Sequence, residues 1–101
     1  MPDISVEQAA RANCDALLMG DITRIMTDLT PEALGILMAS GANVAMMPTL
    51  LGYEIESHEE AGEDHVLRIV FTTPDRQITA IETWRAVDGA WKITNIAVEG
   101  L

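Results

Sequence analysis

Two hydrophobic patterns divide the chain near residue 52. Before this point apolar residues recur every three to four positions, which is typical of amphipathic helices, and after it they alternate with polar residues, which is typical of half-buried strands. The strands are predicted at about residues 53–60, 64–73, 76–87 and 90–98. The sequence therefore predicts an α+β fold in which N-terminal helices pack on a curved four-stranded antiparallel sheet.

The first helix has clear signals at both ends. Ser5 and Gln8 form a capping box that begins it, and Gly20 suits the left-handed position after its last residue, which we place at about Met19. On the apolar side of this helix lies a polar amide, Asn13. A polar group at that position is expected to find a hydrogen-bond partner inside the protein.

Two further helices are predicted before the sheet. One covers about residues 22–28, and the other begins at Pro31 and ends near Ser40-Gly41. The last of these is apolar on nearly all sides, so we expect it to be buried or to close over something. Residues 42–51 have no clear assignment, because Pro48 interrupts any continuous helix there.

The turn sequences predict the strand register and so divide the side chains between two faces. Asp88-Gly89 is the clearest hairpin signal, since both residues tolerate positive φ. Counting outward from the turns places Glu82 opposite Asn95 and Ser57 opposite Leu67. The face predicted to meet the helices includes all four aromatic residues, and its members are Tyr53, Ile55, Leu67, Ile69, Phe71, Ile78, Ala80, Trp84, Trp91, Ile93 and Ala97.

The opposite face of the sheet is unusually rich in branched aliphatic residues for a surface in contact with water. These are Val66, Val70, Ile81, Ile96 and Val98. No helix remains to cover them, so we predict a homodimer formed through this outer sheet face. The alternative interpretation is that β-branched residues are present simply because they favour strands.

Composition and charge exclude several classes of function. The 101 residues fit one domain, 1–101, and their net charge of −10 argues against a nucleic-acid partner. Cys14 is the only cysteine, so no disulfide within the chain is possible. Neither a signal peptide nor a membrane-spanning segment is recognisable, so we expect a cytoplasmic protein that does not enter the membrane.

Both ends of the chain resemble the NTF2-like (SnoaL-like, ketosteroid isomerase-like) superfamily. The resemblance rests on AARANCDALLMGD at residues 9–21 and ETWRAVDGAWKI at residues 82–93, which look like that superfamily's opening helix and C-terminal hairpin. It implies a cone of helices and curved sheet around a pocket, often with dimerisation through the outer face. The segment before the long strands is shorter than is usual there, which implies a shortened cone. Members include isomerases, cyclases and dehydratases, as well as many proteins without catalysis, so the fold alone does not give the chemistry.

Five residues form the predicted site between helices and sheet. Glu82 is the candidate catalytic acid or base, because burial among apolar groups raises a carboxyl pKa, and Asn13, Tyr53, Trp84 and Asn95 are the candidate ligand-binding residues. The alternative is that Glu82 and Asn95 bond to each other, or to a nearby backbone or arginine group, as core polar residues, or that Glu82 lies in water at the open end of the sheet.

The sequence predicts no metal site and no cofactor. His58 and His65 lie among acidic residues, but these residues fall on opposite strand faces or in a loop and lack a metal-ligand spacing, so we interpret this region as a solvated acidic turn. Cys14 has no evident histidine partner and is interpreted as a small buried hydrophobic residue. Phosphate-loop and dinucleotide-binding motifs are absent from the sequence.

Three functional hypotheses follow. The first is a pocket that binds a small apolar molecule. The second is a proton-transfer enzyme of the isomerase, cyclase or dehydratase kind that uses Glu82. The third is a non-catalytic assembly domain that acts through its outer sheet face.

Overall fold

Three helices precede a four-stranded antiparallel sheet in this computed structural model, which describes residues 3–39 and 49–100. The helices are α1 (Val6–Met19), α2 (Ile22–Asp28) and α3 (Pro31–Ala39), and the strands are β1 (Gly52–Ala61), β2 (Asp64–Thr72), β3 (Gln77–Val87) and β4 (Ala90–Glu99). The strands pair in chain order, so β1 and β4 are the edges of the sheet. The predicted α+β architecture is confirmed.

Local sequence signals determine where the elements begin and turn. The Ser5 hydroxyl accepts a hydrogen bond from the Gln8 backbone while the Gln8 side chain accepts one from the Ser5 backbone, and Gly20 ends α1 at a φ of +73°. Asp88 and Gly89 both have positive φ, as a type I′ hairpin requires. Residues 40–48, which include the expected end of α3 and most of the unassigned segment, lie outside the described residues.

The core lies between the helices and one face of the sheet. The four aromatic residues are on this face as predicted, and Trp84 is completely buried. The buried apolar side chains come from all three helices and from β2, β3 and β4; the largest are Leu67, Ile69, Phe71, Ile78, Trp84 and Ile93. Against expectation, α3 buries only Ala33 and Leu37.

A β-bulge at Glu56 changes the face on which the end of β1 lies. Beyond it Ser57 pairs with Arg68, whereas the sequence placed it opposite Leu67, and His58 takes that position instead. Cross-strand partners point to the same side of a sheet, so His58 faces the helices with Leu67. The predicted pairing of Ser57 is wrong because an extra residue shifts the alternation by one.

The same shift brings the two histidines together. His65 lies opposite Trp84 on the inward face, and its Nδ1 is 3.0 Å from Nε2 of His58. The prediction that these rings lie on opposite strand faces or in a loop is therefore wrong. It assumed that β1 alternates without interruption.

A second bulge, at Thr94 in β4, moves each side chain in the last part of that strand to the opposite face of the sheet. Glu82 pairs with Ile96, and Asn95 pairs with Thr83 on the outer face, where it is exposed. The predicted pair of Glu82 and Asn95 is therefore wrong. The bulge buries Ile96 to 8% exposure and leaves an amide in water instead.

This bulge also changes the composition of the outer face. Ile96 and Val98 turn inward and Ala97 turns outward, so three of the five predicted aliphatic residues remain on that face, Val66, Val70 and Ile81, each half-buried. The homodimer through this face stays a prediction, now with a smaller apolar area. Within residues 3–39 and 49–100, no helix has both the length and the apolar character that crossing a bilayer requires.

The bulge in β4 predicts a difference between two neighbouring substitutions. Ile96→Asn should lower the free energy of unfolding by about 2–4 kcal/mol, because it removes buried methyl groups and buries an amide. Ala97→Asn introduces the same side chain one position later on the exposed face and should change it by less than about 1 kcal/mol. Urea denaturation followed by circular dichroism measures both, and the reverse order would show that β4 continues without a bulge.

Candidate functional site

A buried carboxyl group lies in the middle of β3. Glu82 is 2% exposed, and its Oε1 accepts a hydrogen bond of 2.9 Å from Nε1 of Trp84. Burial raises the pKa of Glu82 to about 7, the Trp84 hydrogen bond opposes this shift, and the nearby charge of Asp28 adds to it. Glu82 therefore exists in both protonation states close to neutral pH.

The first two helices supply a second buried acid and its partners. Asn13 of α1 is 2% exposed, and its Nδ2 donates a hydrogen bond of 3.0 Å to Oδ2 of Asp28, the last residue of α2. The same oxygen accepts a hydrogen bond of 3.0 Å from Nε of Arg24, one helical turn earlier. Asp28 is thus held by an amide on its inner side and by a half-exposed guanidinium on its outer side.

Asp28 was not among the residues predicted for the site. The sequence does contain a signal for it, because Arg24 and Asp28 are four residues apart on one short helix and so form an ion pair along its surface. What the sequence does not give is the burial of Asp28, which is 7% exposed because α2 packs against α1 and β4. A helix of seven residues is too short for its periodicity to indicate which side is inward.

A cavity of about 50 Å³ adjoins Glu82. Asn13 and Glu82 are its polar lining residues, and the rest of its wall is apolar: Leu17, Ile25, Leu29, Leu37, Phe71, Ile78, Ala80, Ile93, Ile96 and Val98. A space of roughly 10–15 Å³ is enough for one water molecule, so this cavity can admit water or a small ligand. The combination of an apolar wall with two polar groups is typical of small-molecule sites.

An open groove of about 220 Å³ lies on the outer side of the hydrogen-bonded pair Asn13 and Asp28. Asp28 and Arg24 line this groove together with Trp91, whereas Asn13 lines the smaller cavity. The Asn13–Asp28 hydrogen bond therefore crosses the wall between cavity and groove. We take the smaller cavity as the candidate site because it is the less open of the two and its wall contains the carboxyl with the raised pKa.

The structure brings together three of the five predicted residues. Asn13 and Glu82 line the cavity. Trp84 does not line it but donates a hydrogen bond to Glu82. Asn95 lies on the opposite face of the sheet, so its predicted role in the site is wrong.

Tyr53 does not line the cavity. It packs against Phe71 with ring centroids 6.4 Å apart, and its hydroxyl interacts with Arg11 and Asp15 of α1. Partial burial is the main reason why the pKa of Tyr53 is raised. Tyr53 thus ties β1 to the first helix, outside the candidate site.

Cys14 fits its interpretation as a core residue. The thiol is completely buried beside Glu82 and Asp15, and burial raises its pKa, with the two carboxylates adding to the effect. A thiol of this kind is protonated at neutral pH and is a poor nucleophile.

The arrangement of helices and sheet is that of an NTF2-like fold. A crystal structure of an NTF2-like protein of unknown function from Shewanella baltica OS155 superimposes with a TM-score of 0.64, and the match covers 98% of this chain and 100% of the other. The two sequences are 11% identical, so the likeness concerns the fold. No family model and no curated protein matches the sequence.

The raised pKa of Glu82 predicts how stability depends on pH. The folded protein holds the Glu82 proton up to about pH 7, whereas the unfolded chain releases it near pH 4.5, so this group's contribution to stability is lost as the pH rises through that window. The difference amounts to about 3 kcal/mol. Glu82→Gln keeps an oxygen for Trp84 but cannot ionise, so it should gain stability relative to the wild type by this amount between pH 4 and pH 8.

Urea denaturation of the two proteins at a series of pH values measures this difference directly. Comparing the pair cancels the titration of the other acidic residues. Glu54→Gln, on the exposed outer face of β1, is the matched control and should show no such trend. A constant difference between wild type and Glu82→Gln across the range would contradict the raised pKa.

Proposed function

We propose that the protein binds a small ligand, with an apolar body and one hydrogen-bonding group, in the cavity beside Glu82. The observation that carries this proposal is an apolar cavity with a buried carboxyl and a buried amide in its wall. Burying a carboxyl is costly compared with burying an apolar residue of similar size.

The size of the cavity restricts the ligand. About 50 Å³ is a third of the roughly 150 Å³ that holds benzene in an engineered cavity, so the resting cavity suits a molecule of a few heavy atoms. A larger ligand requires one wall to move. Helix α3 is a candidate for this movement, because few of its side chains are buried, namely Ala33 and Leu37, and Leu37 lines the cavity.

The protonation state of Glu82 determines which kind of polar group on the ligand can bind to it. When protonated, its carboxyl donates a hydrogen bond to a carbonyl or hydroxyl oxygen; when ionised, it only accepts. Because its pKa is about 7, a carbonyl ligand should bind more tightly below pH 7 than above it. Asn13 has already used one N–H on Asp28, so its remaining groups could meet the ligand.

Filling the cavity should abolish binding without unfolding the protein. Ala80 is buried and lines the cavity, so Ala80→Ile places extra methyl groups in it, while Ala97→Ile makes the same change on the outer face. We expect small ketones and alcohols to raise the melting temperature of the wild type and of Ala97→Ile, but not of Ala80→Ile. A ligand at 100 times its dissociation constant adds about 2.7 kcal/mol of stability, which thermal-shift measurement detects.

Circular dichroism should first confirm that both variants are folded. An equal shift in Ala80→Ile and Ala97→Ile would place the binding site elsewhere. If none of the compounds shifts the wild type, the cavity is part of the structural core only.

Proton transfer is a second candidate function, and it is favoured by the position of Glu82. This carboxyl lines the cavity, has a pKa of about 7, and is held in place by Trp84. A general base or acid works best when its pKa is close to the working pH. A ketone in the cavity could lose a proton from the carbon beside its carbonyl to the ionised Glu82 and regain one afterwards.

This reaction predicts exchange of carbon-bound hydrogen for deuterium. Incubating acetone or butanone with the protein in D₂O, followed by proton NMR, measures the rate. Glu82→Gln should reduce the protein-dependent rate by about 100-fold or more, because positioned acid–base groups contribute at least that much. Trp84→Phe removes the hydrogen bond that lowers the Glu82 pKa, so the rise in rate with pH should move to higher pH.

Glu54→Gln is again the surface control and should keep the full rate. A protein-dependent rate that is unchanged in Glu82→Gln would exclude Glu82 as the base. The pH profile of Trp84→Phe separates a direct effect on Glu82 from a general loss of packing, which would lower the rate at every pH.

A further inference from the structure

The two histidines of the chain lie side by side on the inward face of the sheet, beside the turn between β1 and β2 and outside the cavity. The bulge at Glu56 turns His58 inward, and His65 is already inward opposite Trp84. Their ring centroids are 5.2 Å apart, with Nε2 of His58 at 3.0 Å from Nδ1 of His65. Neither residue lines the cavity beside Glu82.

The distance between these nitrogens is close to that of two ligands of one metal ion. Two histidine nitrogens at 2.0–2.1 Å from a tetrahedral Zn²⁺ lie about 3.3 Å apart. A widening of a few tenths of an ångström would therefore admit an ion between the rings. Both side chains are mostly buried, at 23% and 18% exposure, so their orientation is restricted while solvent still reaches them.

A carboxylate completes a set of three ligands. Glu60 follows His58 by two residues on β1, pairs with His65, and has Oε1 at 3.9 Å from Nδ1 of that ring. One ligand atom from each of the three residues lies within 4.8 Å of the others. The Glu60 side chain is 72% exposed, so it is free to rotate towards an ion.

Neighbouring groups orient both rings. Nδ1 of His58 lies 3.4 Å from Oε2 of Glu7 on α1, which favours a proton on Nδ1. Nε2 then carries no proton, and its lone pair can bind a metal. A carboxylate behind a metal-binding histidine is a common feature of protein metal sites. His65 packs edge to face against Trp91, with ring centroids 5.2 Å apart at 89°.

We propose that His58, His65 and Glu60 bind a divalent transition-metal ion of the zinc class, with Glu7 supporting His58. Two imidazoles and one carboxylate suit Zn²⁺ and its neighbours in the transition series, whereas Mg²⁺ and Ca²⁺ prefer oxygen ligands alone. Three protein ligands leave a fourth position for water or a substrate. The chain has two histidines in total, and its one cysteine is buried, so a second site of this class cannot form elsewhere.

The competing interpretation is that the rings share a hydrogen bond and act only to join β1 to β2. Calorimetric titration of the tag-free protein with ZnCl₂ in the presence of excess Mg²⁺ distinguishes the metal site from the structural hydrogen bond. We expect one Zn²⁺ per chain, and visible absorption typical of tetrahedral coordination when Co²⁺ is used. Heteronuclear NMR of the wild type should show the ring nitrogens His58 Nε2 and His65 Nδ1 shifting on Zn²⁺ addition.

Variants identify the ligands. His58→Gln and His65→Gln should each weaken Zn²⁺ binding by at least about 100-fold, and Glu7→Gln by about 10-fold, because supporting residues alone account for 10–100-fold in known sites. Glu60→Gln should also weaken it, whereas Glu59→Gln, one residue earlier on the outward side of β1, should not.

Zinc binding that is equally tight in wild type and His65→Gln would overturn the proposal, as would wild-type binding no tighter than that of Ca²⁺. Should a histidine variant fail to fold, the NMR shifts of the wild-type ring nitrogens still decide. If the ring-nitrogen shifts are unchanged at saturating Zn²⁺, the metal site is excluded and the two histidines form only a structural hydrogen bond.

Discussion

Every second side chain of a strand lies on the buried face only while the pairing register of that strand is unbroken. In this sheet the register is broken once in each of the two edge strands. The extra residues are Glu56 in β1 and Thr94 in β4. Each bulge reverses every side chain beyond it and increases the local twist, which bends the strand. One bulge places Ile96 in the wall of the cavity, and the other places His58 beside His65. Both candidate sites therefore depend on these two insertions.

The central pair of strands has no such interruption, and it carries the buried carboxyl. β2 and β3 pair continuously from His65–Trp84 to Thr72–Gln77, which fixes Glu82 inward opposite Leu67. A carboxyl at that depth loses most of its hydration, and one indole hydrogen bond from Trp84 does not replace it, so the proton is retained to about pH 7. Asp28, the other buried acid beside the cavity, accepts hydrogen bonds from both an amide and a guanidinium.

Much of this fold could be predicted from local signals. The capping box at Ser5, the left-handed Gly20 and the Asp88-Gly89 turn each require a particular backbone conformation, so they locate α1 and the last hairpin. The inward position of Glu82 followed from counting along strands without a bulge, and that of Asn13 from the helical period.

The errors arose where alternation was assumed to continue. In β4 the apolar residues Trp91, Ile93, Ile96 and Val98 include one spacing of three, which does indicate a bulge between Ile93 and Ile96. In β1 no such signal exists, because the residues from Glu56 to Glu60 are all polar and either face fits the pattern. The histidine pair could therefore be found only from the structure.

Helix α1 connects the two candidate sites. Glu7 contacts His58 near the start of the helix, and Asn13, six residues or about 9 Å further along it, lines the cavity. An ion held by His58 would fix the ring proton on the nitrogen that faces Glu7 and so strengthen this contact between helix and sheet. The contact lies on the same rigid helix that presents Asn13 to Asp28 and to the cavity. Metal binding at the histidines would thus stabilise the helix that forms one wall of the cavity without touching the lining of the cavity.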